Sequence, residues 1–210
     1  MNRSAFTMLE LVFVIVVLGI LAALAMPRME RDLNQEAADN VLSAIRYTQH
    51  LALTDNKHKY NKKNWQNALW QIRFKNTATN GWSYTIASNT NAGTNLSDDE
   101  AAIDPANGKL FHDTVTDGSP NVFIEKLYGI DNIIFNDCKG KGNDLSQHIA
   151  FDNLGRPHRG VTTGDTYDYR TYVENKNCQI TFSSPSFDND FSIVIEKETG
   201  YTYILGQESS

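Results

Sequence analysis

The sequence predicts an α+β fold in which a long N-terminal α-helix packs on an antiparallel β head. Three observations predict it. Phe6–Met26 holds 18 apolar residues out of 21, interrupted only by Thr7, Glu10 and Gly19. Apolar side chains then recur at threes and fours from Leu33 to Ala52, the period of a helix with one buried face. Beyond Thr54, short stretches alternate apolar and polar residues at period two, as half-buried strands do. From Pro27 to Ser210 only 65 of 184 residues are apolar, so the chain joins two materials at Pro27. That composition argues against a purely cytosolic protein, a multi-span transporter and a wholly disordered chain. The part after Pro27 suffices for one domain with a core.

Three readings compete for Met1–Pro27. A secretory signal has a cation, Arg3, ahead of the apolar run and a small-x-small site at Ala23-Leu24-Ala25. A plain anchor needs only length, and 21 residues at a rise of about 1.5 Å cover a hydrocarbon core about 30 Å thick. Neither reading has a use for Glu10, whose carboxylate costs roughly 2.5–3.5 kcal/mol at a mid-membrane position. The third reading rests on a resemblance, given below.

The second half of the helix continues past Pro27, which lacks an N–H and should kink the helix rather than end it. Leu33, Ala37, Val41, Ala44, Ile45, Thr48, Leu51 and Ala52 form its apolar stripe, with Arg31, Asp32, Glu36, Asp39, Asn40 and Arg46 on the other side. One helix is therefore expected from Phe6 to about Thr54. Lys57-His58-Lys59 and Lys62-Lys63 follow it, where cations complement the negative end of the helix dipole.

Eight strands are predicted: Leu69–Lys75, Trp82–Ala87, Val122–Leu127, Asn132–Asn136, His148–Asp152, Cys178–Ser183, Phe191–Lys197 and Tyr201–Leu205. Ser88–Gly108 has no aromatic residue and reads as a surface loop. Within it, Ser97-Asp98-Asp99-Glu100 has the spacing of a capping box, so a single helical turn is expected.

Charge and cysteine set further bounds. The net charge is −6, which is not the footprint of a general nucleic-acid binder. Cys138 and Cys178 make an even count in a part of the chain that the apolar run would place outside the cytoplasm. A disulfide is the expectation there, with two buried thiols as the alternative.

A search for chemistry in the head finds no catalytic constellation. His50, His58, His112, His148 and His158 show no metal-helix spacing, and His148 alternates with Ala150 as a half-buried strand residue would. Gly140-Lys141-Gly142 is followed by Asn143 where a phosphate loop needs Lys-Ser or Lys-Thr, so it reads as a turn. Asp188-Asn189-Asp190 and Asp98-Asp99-Glu100 offer hard oxygen ligands without the spacing of a Ca²⁺ loop, and they read as solvated turns. No cofactor is expected. Arg156-Pro157-His158-Arg159 places two guanidinium groups on a hairpin turn.

Ser4-Ala5-Phe6-Thr7-Met8-Leu9-Glu10-Leu11, followed by an unbroken apolar helix, resembles the class III leader of type IV pilins and type II secretion pseudopilins. The resemblance implies cleavage by prepilin peptidase between Ala5 and Phe6, N-methylation of Phe6, and Glu10 as the assembly residue. Pro27 takes the place of the family's proline near the end of the span, and Ala5 stands where the family usually has Gly. Phe151-Asp152-Asn153-Leu154-Gly155-Arg156-Pro157 and the later run from Ile193 to Tyr201, containing Thr199-Gly200, look like segments of the H-type minor pseudopilins and similar minor pilins. Some minor pilins of the DNA-uptake type carry a Gly-Arg-x-Arg element, similar to Gly155–Arg159 but with arginines one residue closer than here, which marks Arg156 and Arg159 as candidate phosphate contacts.

What the resemblance implies is a structural protein and no enzyme. Its parts are a leader (1–5), a transmembrane and assembly helix (6–27), an amphipathic continuation (28–55) and a β-rich head (56–210). The expected site is the bacterial inner membrane with the head in the periplasm, then a pseudopilus or pilus. Expected partners are other subunits in a helical filament, prepilin peptidase and the inner-membrane assembly platform. The alternatives are a tip-displayed module that binds DNA or a secreted substrate, and an exported soluble protein cut after Ala25.

Overall fold

Thr7 starts the structure's longest element. Its backbone is extended and its Oγ1 accepts the Glu10 N–H at 3.4 Å, an N-cap that satisfies one otherwise unpaired donor. From there helix α1 runs over Met8–Thr54 and continues through Pro27. The computed structural model describes residues 7–59, 65–91, 95–113, 116, 118–138, 147–158 and 176–208, with backbone alone for 24–32.

The amphipathic half of α1 buries the stripe read from the sequence. Ala37, Val41, Ile45 and Thr48 have no exposed surface, and Ala44 and Ala52 are buried beside them. Ala38 and Leu42 are also buried, so the buried face is wider than that stripe. Arg46, read as solvent-facing, is half-buried.

Two four-stranded antiparallel sheets receive this face. The first has the order β2-β1-β4-β5, with β1 Trp70–Thr77, β2 Gly81–Ser88, β4 Gln147–Phe151 and β5 Pro157–His158. The second has the order β3-β6-β7-β8, with β3 Asn132–Asn136, β6 Cys178–Ser183, β7 Phe191–Ile195 and β8 Thr202–Ile204. Strand alternation is cleanest in β6, where Cys178, Ile180 and Phe182 are buried and the residues between them are not. Phe74 of β1 joins the sheets: its ring lies 6.1 Å from Tyr84 on its own sheet, and 5.9 and 5.7 Å from Phe135 and Phe182 on the other, spacings typical of favourable aromatic pairs.

One predicted strand is wrong. Val122–Leu127 is a 3-10 turn, Pro120–Val122, followed by helix α2, Ile124–Tyr128. The apolar run there looks like a strand, but its punctuation is helical. Ser119 Oγ accepts the Asn121 N–H, Pro120 opens the turn, and Gly129 closes α2 at φ 71°, the left-handed conformation that a C-terminal glycine supplies cheaply. Strand β5 was not foreseen, because two residues beginning with proline carry no alternation.

Ser88–Gly108 is not a free surface loop. Ala102 donates to the Ile86 carbonyl at 2.8 Å, and Ile86 donates to Phe111 at 3.0 Å, so the segment covers the outer edge of β2, which would otherwise present unpaired backbone. The expected turn is present as a 3-10 helix at Asp98–Glu100 with a capping box. Glu100 itself is buried, and its carboxylate accepts the N–H groups of Thr90, Asn91 and Ser97 at 2.6, 3.0 and 3.0 Å. Lys57 does not sit in the last turn of α1; it pairs with Asp55 and lies over the Trp70 ring. Lys62 and Lys63 fall outside the described residues.

Candidate functional site

The first part of α1 is a bare apolar rod. Every described side chain from Thr7 to Ala23 is exposed, including Met8 at 86% and Leu21 at 57%. Exposed apolar surface on this scale marks an interaction site with lipid or protein. Among the described residues no helix is long and apolar enough to cross a membrane; the side chains of residues 24–32 are outside that description, and the apolar run of the sequence continues to Met26.

Glu10 lies in the first turn of α1, where a carboxylate complements the positive end of the helix. Thr7 and Glu10 have capping-box spacing. Ala5 and Phe6 lie outside the described residues, as does the side chain of Pro27.

At the other end of α1 the two segments that carry the minor-subunit resemblance meet. Gln49 Nε2 donates to the carbonyl of Gly155 at 2.8 Å and to that of Thr199 at 3.3 Å. Arg46 donates Nε and Nη2 to the Thr202 carbonyl at 3.1 and 2.8 Å. One turn of helix thus holds both the β4–β5 hairpin and the β7–β8 hairpin. Gly155 and Gly200 have φ of 79° and 67°, and a Cβ on Gly200 would collide with the Gly155 carbonyl oxygen. The sequence supplied both glycines but gave no sign that they touch.

The β4–β5 turn is organised by Asp152. Its Oδ1 accepts the N–H groups of Leu154 and Arg156 at 2.9 and 3.0 Å. Its Oδ2 takes Arg156 Nε at 2.8 Å and Nη2 at 2.7 Å, with His158 Nε2 at 3.1 Å. Burial alone would raise the Asp152 pKa, but the bonds from His158 and Arg156 outweigh it and hold the carboxyl well below the usual range. The Arg156 guanidinium is therefore engaged with a carboxylate of the same turn, which offsets the charge that a phosphate would need. Arg159, the second candidate phosphate contact, lies outside the described residues.

Cys138, just beyond β3, is bonded to Cys178 at the start of β6, with Cα atoms 4.8 Å apart. Both are buried. Among the described residues no group of three His, Cys, Asp or Glu side chains could hold a metal ion. Asp98, one of the hard-ligand candidates, faces His112 at 3.7 Å, and the Asn189 carbonyl accepts from Asn34 at 2.7 Å. His148 is fully buried rather than half-buried. Gly140–Asn143 lies outside the described residues.

No protein-family model matches the chain, and neither a curated protein nor a solved structure matches it.

Proposed function

We propose that this protein is a minor subunit of a pilus-like filament, a minor pseudopilin or pilin of a type II secretion or type IV pilus fibre. In this reading prepilin peptidase cuts between Ala5 and Phe6 and methylates Phe6, and the apolar half of α1 passes from the inner membrane into a filament core. The observation that carries it is the division of a single helix. Its first part is exposed on every described side and apolar but for Glu10 and Gly19, and its second part is built into the head.

Glu10 fits the same reading. A new α-amino group at Phe6, largely cationic at neutral pH, would pair with Glu10 of a neighbouring subunit and remove both charges from an apolar bundle. Subunits offset by a constant step make heterologous contacts, which propagate into open fibres. The convergence of the Gly155 and Thr199-Gly200 segments on Gln49 supports the minor-subunit resemblance, since it gives both segments one structural task.

Intact mass and N-terminal sequencing of the mature protein test the proposal. A methylated Phe6 is the expected result. An N-terminus at Met26 would mean an exported soluble protein, and one at Met1 an uncleaved anchor; either overturns the reading.

A further inference from the structure

Between α1, β2 and the segment Asp104–Asn121 lies a groove of about 490 Å³. Its acidic side chains are Glu36 and Asp39 on α1 and Asp104 on the facing segment, and its rings include Tyr47, Tyr84 and Tyr128. No Lys, Arg or His is among its described lining, and among the described residues none of the three acids forms an ion pair.

Asp104 is the decisive residue. It is 2% exposed, yet its carboxylate accepts only from neutral donors: the Ala106 N–H at 2.8 Å, Asn107 Nδ2 at 3.0 Å, Asn121 Nδ2 at 2.9 Å and Ser119 Oγ. Those bonds fix the carboxylate but leave its charge uncompensated, and buried charges are normally paired. The charge is felt in the groove. Burial first and Asp104 second raise the pKa values of Tyr47 and Tyr84, and Glu36 adds to burial at Tyr128. A negative field beside tyrosine side chains favours an organic cation, whose apolar stem can lie along the rings while its head meets the carboxylates. An inorganic ion would have no use for the rings.

We infer that this groove seats a lysine or arginine side chain of a neighbouring protein subunit. The inference rests on the filament reading for the identity of the neighbour, and on charge complementarity and groove size for its chemistry. An acidic trough with aromatic walls accepts a long cationic side chain by burying its stem and pairing its head.

The full-length chain in detergent micelles, titrated with the peptide acetyl-Gly-Arg-Gly-amide and with its neutral citrulline counterpart, tests this. NMR signals of the Tyr47 and Tyr128 rings report binding. The arginine peptide should shift both, the citrulline peptide neither. Glu36→Gln with Asp39→Asn, two exposed positions, should weaken the arginine peptide about tenfold with unchanged thermal stability. Equal response to both peptides, no response, or an unaffected double variant overturns the inference, as does binding of spermidine without the peptide. The titration needs neither a filament nor a processed N-terminus. A negative result beside a methylated Phe6 therefore overturns the groove alone. Peptide binding by a chain that is never methylated overturns the neighbouring subunit as the partner.

Discussion

Gln49 of the long helix donates its amide to the carbonyl of Gly155, 106 residues further along the chain, at 2.8 Å. The same amide lies against Gly200, whose missing Cβ lets the two hairpins close over it. Gly200→Ala should therefore destabilise the head by about 2–4 kcal/mol, from a left-handed backbone and a clash with backbone rather than with a yielding side chain. Gln49→Ala should cost about 1–3 kcal/mol by leaving two carbonyls without their donor. Urea denaturation of the two single variants and the double variant measures the coupling, which should be sub-additive because both changes loosen one junction.

Removal of the cross-link gives a larger effect. Cys138 and Cys178 close a loop with a sequence separation of 40, for which chain entropy predicts roughly 4 kcal/mol. Cys138→Ser with Cys178→Ser should lower the melting temperature by roughly 10 °C in a domain of this size. A melting point within a degree or two of the parent would show that the open chain is already constrained.

Asp152→Asn should cost about 2–3 kcal/mol near neutral pH, by removing the ionised acceptor of Arg156 and His158. The folded-state pKa of Asp152 is depressed. Its contribution is thus complete above the unfolded value of about 3.9 and is lost as pH falls below that value towards the folded one. Stability curves of parent and variant should converge only under that acid limit. A gap that persists at lower pH would mean that the turn depends on shape rather than on charge.

In the filament reading Glu10 would pair its charge between subunits, and its place in the first turn of α1 gives it a local role to separate from that. Glutamine caps a helix as glutamate does but carries no charge. In cells that assemble the filament, Glu10→Gln and Glu10→Ala should both be exported and cleaved, and both should fail to incorporate. Normal incorporation of Glu10→Gln would refute the pairing role.

The helix was legible in the sequence because its signals are local. A 3.6 period from Leu33 to Ala52 and an unbroken apolar run before it need no tertiary knowledge. Strands β3 and β6 were read to the residue, since their alternation is set by one buried face. What failed was punctuation. Ser119-Pro120 and Tyr128-Gly129 outweigh β-branched and aromatic content between them, and turn α2 helical. The site-level relationships were invisible for another reason: contacts of Gln49 with Gly155 and of Asp104 with Asn121 join residues whose proximity only the folded chain creates. Ser88–Gly108 looked like loop because covering a strand edge requires backbone groups, which leave no hydrophobic pattern.

The attachment of α1 to the head also has a mechanical meaning. In the filament reading, a pull along α1 would reach the head in part through the carbonyls of Gly155, Thr199 and Thr202. Gly155 lies inside the loop closed by Cys138 and Cys178. Tension entering there would be carried round a covalent ring, which would limit how far the β4–β5 hairpin could be drawn away from the second sheet. In that reading the disulfide would limit how far such a pull could open the head, quite apart from any stability that it gives the resting head.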